Sequence, residues 1–551
     1  MNIKKFLMLG GVALSLGTTS CVGDLDLNPI DPNLESPESP TILINEAMQC
    51  YQVMATSGQE GPGSSIISGL DNGRGQYTRA LFMMNVFPTD ECIWIWKDDG
   101  IYDLVTNTFD ASNGNIYGTY SRLYAHIAVC NQFLADAEGN NDAEIVRLRD
   151  EVRALRAMSY YWMCDIFGKA SFATGAPDGT APVQITRTKL YEWLEEELCD
   201  LVDNGNLADV PVYGRVGKDG AEALLARLYL NAEVYTGVPA YDKCAVRCEN
   251  IITRHKGGGF KSSGLAENYL YLFCRNNEEY MPGGGNKAEN EILWGLPFDS
   301  ERLQSYGGTM FLINSALADD GGMSGLNYGC SNVWKCMKAP KEFSEHFSSN
   351  DLRWDMWVKG PIKDDKGEVI KDYKITNDDF GQWGDGYVCI KWTGLTHGAN
   401  NPAGKPNWDE NIISTQFPDT DLALIRLADV YLMYAECAAR NATGTDLAKG
   451  LQYANLVRER AGVTIWNTAD LTLDNLLAER CRELYWELTR RSDLVRFGRF
   501  TGPNQKLWSW KGNALEGNNI DSRYDLMPIP VNVIAASPDF KQNKGYGGNE
   551  E

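Results

Sequence analysis

The 551-residue sequence predicts an all-α-dominated fold in which pairs of amphipathic helices stack into a scaffold. Irregular loops and short strands laid over that scaffold are expected to form the ligand face. Apolar residues recur at helical spacing from residue 421 to 500, and the same spacing recurs before residue 255. Between these regions the chain is rich in Gly, Trp, Tyr, Asn and Asp and holds few long periodic runs. Loops on a rigid helical support are where binding residues tend to sit.

The C-terminal region is the most clearly marked. Leu424, Leu427, Tyr431, Tyr434 and Ala438 fall on one helical face, and Gly444 and Asp446 punctuate the run. A second stripe holds Leu451, Ala454, Val457 and Ala461 and stops at Gly462. A third holds Leu473, Leu477, Cys481, Leu484 and Leu488 and leads into an Arg-rich turn. With Ala435, Ala438 and Ala439 small where two helices cross, the pair resembles a tetratricopeptide-type unit, without that repeat's consensus spacing.

At the start of the chain, Met1 to Ser20 carries Lys4 and Lys5, an apolar run from Phe6 to Leu16, then small residues up to Cys21. This is the layout of a bacterial secretion signal. The run is too short to span a bilayer, and no later stretch reaches the roughly 20 apolar residues a transmembrane helix needs. A cysteine after small residues is where a lipoprotein signal peptidase leaves a new N-terminus for acylation, so Cys21 is the expected lipid attachment. Ordinary cleavage after Thr-Thr-Ser is the alternative, because Thr18 stands where a stricter lipobox has Leu. Asp24 and Asp26 suit a lipoprotein passed to the outer cell surface. Residues 21–40 read as a Pro-, Asp- and Asn-rich tether.

Further helices follow in order. One spans roughly Tyr117 to Ala137. Leu148, Val152, Leu155, Trp162 and Ile166 mark the next, and Leu190, Leu194, Leu198 and Leu201 its partner. Leu224, Leu228, Ala232 and Tyr235 lie before the turn at Gly237 and Pro239, which leads to the helix of Ala245, Cys248 and Ile252.

Composition narrows the function. Net charge is −23, from 51 basic and 74 acidic residues, which argues against nucleic acid or an anionic membrane surface as main partner. Of the 14 cysteines, most read as reduced core filler. Cys330 and Cys336 are the one pair considered for a bridge. No phosphate-binding Gly-rich loop and no Gly-x-Ser-x-Gly elbow occurs. His126, His255, His346 and His397 lie too far apart in sequence for a His-x-x-x-His metal helix. A glycosidase escapes this search, since its two carboxylates need no fixed spacing. No cofactor is expected. A structural calcium ion has two candidate places, Asp419 with Asp421 and the turn of Asp364, Asp365 and Glu368, although surface carboxylates are usually just solvated.

The informative chemistry is aromatic. Trp94 and Trp96 stand two apart among Asp90, Glu91, Lys97, Asp98, Asp99 and Gly100. Buried, they would simply be core. Their polar neighbours favour partial exposure, and an exposed indole is a wide plate suited to the C–H face of a sugar ring. Tyr306 before Gly307-Gly308, and Trp334 after the Gly-rich run 321–329, form a second group, where glycine would let backbone approach a ligand closely.

These residues resemble a known family. The start from Cys21 to Pro32, Pro-Thr-Asp-Glu at Pro88 to Glu91, and Leu427-Ala428-Asp429 with Tyr431 are similar to the SusD/RagB outer-membrane glycan-binding lipoproteins. So are Arg490-Arg491 with Asp493, Arg496 and Gly498, then Met527-Pro528-Ile529-Pro530, and the tail from Gln542 to Tyr546, with Lys544 where many members have Pro. The resemblance implies one α-rich domain over 41–546, with sequence halves of about 41–255 and 290–546 and about four tetratricopeptide-like helix pairs. It also implies a non-enzymatic lipoprotein, anchored in the outer membrane only through its lipid and facing the exterior. Such a protein would capture oligosaccharide and hand it to a SusC-like TonB-dependent transporter. The pattern looks most like that of the family's starch-binding founding member, whose site residues carry over to Arg79, Trp94, Trp96, Tyr306 and Trp334. The Asn of that pattern falls on Asp99, which accepts hydrogen bonds but cannot donate them. Starch or malto-oligosaccharide is the implied cargo. A different glycan or a peptide is one rival, and a protein-binding scaffold that caps the transporter is another.

Overall fold

The computed structural model describes residues 39–550 apart from 71–72, 97, 177, 181, 285–289, 322, 375–385 and 397–414. The expected signal at 1–20, the lipid site Cys21, nearly all of the tether and His397 lie outside the described residues.

Ser39 caps helix α1 (Pro40–Ala55) by accepting from Ile42 N at 3.4 Å, and Pro40 takes the first position, where its missing N–H costs nothing. Helix α2 (Tyr77–Asn85) is buried at every residue, so no amphipathic stripe announces it in the sequence. Helices α3 (Gly114–Asp136) and α4 (Ala143–Trp162) form a hairpin, capped by Asn113 and Asp142. Helices α5 (Arg187–Asp203), α6 (Lys218–Leu230) and α7 (Tyr241–His255) continue the stack, each packed on the one before.

Helix α8 (Gly308–Ala316) belongs to the loop-rich layer, and the scaffold resumes with α9 (Leu427–Ala439) and α10 (Leu447–Arg460). Because α7 packs on both α6 and α9, the helix stack runs unbroken across the irregular segment between them. The architecture is the helical scaffold with tetratricopeptide-like pairs that the sequence predicts, built on one large hydrophobic core with a small second cluster of Ala435, Ala454, Leu471 and Leu476.

The strands are short and pair only two by two among the described residues; those that bear on the site are β1 (Ile93–Trp94), β2 (Ile292–Leu296), β3 (Met337–Lys338) and β4 (Leu422–Arg426). β2 and β4 pair antiparallel, with Leu422 opposite Leu296 and Arg426 opposite Ile292. Every residue of β4 is buried, which removes the alternation that marks a half-exposed strand. Leu424, expected on a helical stripe, is therefore in a strand that runs straight into α9.

The third stripe is also cut short. Helix α11 (Leu473–Glu483) ends before Leu484, and Trp486 and Leu488 take left-handed backbone (φ 61° and 66°). Glu91 holds this break: its side-chain carboxyl oxygen accepts from Trp486 N at 3.0 Å, and its main-chain carbonyl accepts from Tyr485 Oη at 2.7 Å and Trp486 Nε1 at 3.1 Å. The Arg-rich turn is itself a helix, α12 (Arg490–Arg496). The thirteen cysteines from Cys50 onward are free thiols. Cys330 does not bridge to Cys336, and its thiol donates instead to Asn314 Oδ1 at 3.1 Å.

Candidate functional site

The two aromatic segments, more than two hundred residues apart in sequence, meet along one ribbon. β1 pairs antiparallel with β3, Trp94 opposite Met337 and Ile93 opposite Lys338, and Ile95 N extends the ladder to Cys336 O at 2.9 Å. Trp96 is thereby brought beside Trp334, with ring centroids 6.3 Å apart and planes tilted by 34°. The other edge of 334–336 is fixed by the end of α8: Trp334 N donates to Asn314 O at 2.6 Å and Cys336 N to Ser315 O at 2.8 Å.

The two tryptophans of the pair have different roles. Trp96 and Trp334 are half-buried at the surface, packed on the core. Trp94 is only 1% exposed and lies beneath them, edge-on to Trp96 at 5.7 Å and stacked on Phe311 at 5.9 Å. Its Nε1 donates to Asp98 Oδ2 at 2.6 Å. Turning Trp94 out to meet a ligand would forfeit about 2–3 kcal/mol of burial as well as that hydrogen bond, more than one sugar stack returns. The expectation that Trp94 offers a plate is thus corrected by its burial: it is the floor under Trp96.

Arg79, on α2, is 7% exposed and braces the plates from behind. Its guanidinium lies 4.7 Å from the Phe311 centroid and 5.7 Å from that of Trp334, and Nη1 donates to Tyr306 O at 3.2 Å. Tyr306 is half-buried, tilted against Phe417 at 5.5 Å, and its hydroxyl accepts from Gln416 Nε2 at 3.3 Å. Asp99 is exposed on the turn after the Trp pair, and its carbonyl accepts from Asn115 Nδ2 at 3.1 Å. The structure therefore gathers Arg79, Trp96, Tyr306 and Trp334 in one place with Trp94 underneath, and sets Asp99 on the loop beside it.

Asp98, Phe311 and Phe417 were not expected. Asp98 links Trp94 to Arg74, whose Nη2 is 3.4 Å from its other oxygen. Its neighbour Asp99 drew attention by matching a family position, whereas nothing local distinguishes Asp98. Phe311 lies on α8, a short helix buried throughout and for that reason without a stripe.

The possible calcium positions are engaged by protein groups. Asp419 takes Arg275 Nε at 2.7 Å and Ser300 N at 2.7 Å, and Asp421 accepts from Phe298 N at 2.8 Å and from Tyr213 Oη. Asp364 accepts from Lys366 N and Glu368 N within its own turn. Asp90, His346 and Cys481 cluster within 4.8 Å of one another, but Arg490 and Lys506 already hold Asp90, and two cations there oppose a third.

Among known proteins, the starch-binding protein SusD of Bacteroides thetaiotaomicron is 33% identical over 97% of this chain and 97% of its own length. The SusD family profile matches residues 249–546. The chain belongs to the SusD family. Members of this family bind glycans and are not enzymes. A SusD-like protein from Formosa agariphila is 26% identical over 78% of this chain and 80% of its own length. The fold is shared with surface glycan-binding protein A from Bacteroides uniformis, at TM-score 0.67 and 19% identity, covering 92% of this chain and 99% of that one. It is shared too with surface glycan-binding protein A from B. thetaiotaomicron in complex with laminarihexaose, at TM-score 0.65 and 19% identity, covering 92% and 99%.

In this SusD-family chain the helix that carries Phe311 is seated through glycine. Gln76, the cap of α2, accepts from Arg79 N at 2.8 Å and Gly308 N at 3.3 Å and donates to Met54 O at 2.9 Å and Ala55 O at 3.1 Å. A Cβ on Gly307 would fall inside the Gln76 side chain. Since Gln76 is fully buried and held by these bonds, Gly307→Ala is expected to lower stability by about 2–3 kcal/mol and to weaken glycan binding, because Tyr306 and α8 must shift. Thermal unfolding and glycan titration on the one variant measure both effects; unchanged values in both would contradict the packing described.

Proposed function

We propose that the chain captures α-1,4-glucan, starch or malto-oligosaccharide, on Trp96, Trp334 and Tyr306 and delivers it to a TonB-dependent outer-membrane transporter. The carrying observation is the Trp96–Trp334 pair, two half-buried plates tilted by 34° at 6.3 Å. Plates at an angle suit a glucan that curls, whereas a flat β-linked chain is better served by a flat platform. The whole-length identity to a starch-binding protein supports the same cargo. Asp99, on the adjacent turn, offers acceptors to sugar hydroxyls, and Arg79 holds the plates in register. An anchor on Cys21, at the outer surface, would leave residues 22–38 as tether. Among the described residues no helix is long and apolar enough to cross a membrane, so that lipid would be the membrane attachment.

Each stack contributes on the order of 1–2 kcal/mol, which places affinity at micromolar or weaker in an open, wet site. Weak capture allows transfer. Calorimetric titration of protein lacking residues 1–21 with maltoheptaose, laminarihexaose and xyloglucan tests the reading. Maltoheptaose binding at least about tenfold weaker in Trp96→Ala or Trp334→Ala is expected. Binding of laminarihexaose in preference to maltoheptaose, or affinity untouched by either substitution, would overturn it.

A further inference from the structure

Lys335, next to the surface plate Trp334, has left-handed backbone at φ 53°, a conformation that is strained for a residue with a Cβ and free for glycine. The hydrogen bonds around it show what the strain achieves. Trp334 N and Cys336 N reach the end of α8, and between them Lys335 N donates at 3.0 Å to the carbonyl of Leu317, the residue that follows that helix. Three successive amides thus turn toward carbonyls that a helix end leaves without partners. In an extended strand successive amides point to alternate edges, and a left-handed residue among them brings them to one side. Immediately beyond, Cys336 O accepts from Ile95 N, and β3 begins its pairing with β1. Lys335 is therefore the point where the chain passes from docking on α8 to pairing with the strand that leads to Trp96.

The side chain of Lys335 is tied down as well. Its Nζ lies 3.0 Å from Asp320 Oδ2, in a pair whose side chains are 20% and 9% exposed. Asp320 Oδ1 accepts from Tyr373 Oη at 2.5 Å, and Lys371 Nζ is 3.7 Å from Oδ2. Tyr373 and Lys371 belong to the hairpin formed by Gly360–Lys363 with Val369–Tyr373. An ion pair sheltered from water is screened less than an exposed one, so it can offset the strain of the left-handed residue. Valine in that place would lack the pair and, being β-branched, would resist the turn, whereas glycine would need no support.

We infer that Lys335 is a positioning residue: its left-handed backbone, held by Asp320, sets the angle of Trp334 against Trp96 and with it the curvature of glucan that the plates accept. The inference rests on the plate reading for its ligand and on the hydrogen bonds alone for its geometry. Lys335 need not touch sugar to act in this way, and Asp320 with its hairpin enters the site through it.

Neighbouring indoles held at a fixed angle couple in far-ultraviolet circular dichroism, so subtracting the spectrum of Trp334→Phe isolates the signal that depends on Trp334. The test compares that signal in wild type, Lys335→Val, Lys335→Gly and Asp320→Asn, each with its own Trp334→Phe control, beside calorimetric titration with maltoheptaose and laminarihexaose. The expected result is a signal cut to about half or less in Lys335→Val and Asp320→Asn, with maltoheptaose bound about tenfold more weakly and its preference over laminarihexaose narrowed. Lys335→Gly should restore signal and affinity relative to Lys335→Val, which a merely stabilising side chain would not do. Asp320→Asn keeps an acceptor for Tyr373 and carries the test if Lys335→Val does not fold. A signal unchanged in both Lys335→Val and Asp320→Asn, or lost as fully in Lys335→Gly as in Lys335→Val, overturns the inference. A signal that changes as expected while maltoheptaose affinity stays untouched upholds the angle set by Lys335 and overturns the plate reading.

Discussion

Replacing Arg426 with Ala is expected to cost about 3–5 kcal/mol of stability, the largest loss from any single substitution considered. Arg426 is the last residue of β4, fully buried, and all its donors are used. Nε and Nη2 fork onto Glu487 at 2.7 Å each, Nη1 reaches Glu291 at 2.6 Å and Glu483 at 3.1 Å, and Nη2 also donates to the Glu483 carbonyl at 3.0 Å. Arg460 shares Glu291 and Glu483, Lys391 shares Glu487 at 2.6 Å, and Arg353 reaches Glu483 at 3.1 Å. The network ties the residue before β2 to β4, α10 and α11 as one unit. Truncating Arg426 leaves three buried carboxylates short of countercharge, which is why the loss exceeds the net worth of the pairs themselves. Chemical denaturation of Arg426→Ala, set beside Lys189→Ala at the exposed Lys189–Glu192 pair, measures it. The surface pair should contribute less than about 1 kcal/mol. A loss at Arg426 no larger than at Lys189 would show that the network does not hold these elements.

That network also shows why some of the structure was legible in the sequence and some was not. Helices with one wet face, such as α5 with Leu190, Leu194, Leu198 and Leu201 inward, declare themselves by period. Elements buried all round do not: α2, α8 and β4 carry Arg79, Phe311 and Arg426 inside the molecule, and charged residues in a core read as surface until their partners are known. The break after Glu483 was invisible for the same reason, because Glu91, nearly four hundred residues earlier, enforces it. Trp96 and Trp334 were legible as partly exposed indoles from their polar and Gly-rich surroundings. Trp94 has the same surroundings and a different fate, since β1 turns it onto Phe87 and Phe311. Sequence spacing places residues on a chain, and only the β1–β3 register decides which indole is floor and which is surface.

Glu91 gives the second large effect, and it depends on pH. The carboxyl is 1% exposed, and burial pushes its pKa from 4.5 up to about 8, against the pull of Arg490; the charge on Asp90 beside it pushes the same way. Asp90 is held in the opposite direction by Arg490, which forks onto both its oxygens at 2.6 and 2.7 Å, and by Lys506. Adjacent acids thus split into one neutral and one charged. With its folded pKa above its unfolded one, Glu91 binds more protons in the folded state, so its contribution to stability declines as pH rises from about 4.5 to 8 and is flat beyond. Asp429 acts with the other sign: Arg480 and Arg227 bring it to about 2 despite burial, so its contribution is complete above the ordinary carboxylate pKa and disappears as pH falls toward 2. Gln at position 91 mimics the neutral acid, with an oxygen for Trp486 N, and does not titrate. Glu91→Gln should therefore match wild type near pH 4.5 and exceed it by on the order of 3–5 kcal/mol near pH 9. Denaturation midpoints across that range give the difference directly. Parallel profiles for the two proteins would mean that Glu91 is ionised in the fold, and the loop at 484–489 would then be held by a charged acceptor.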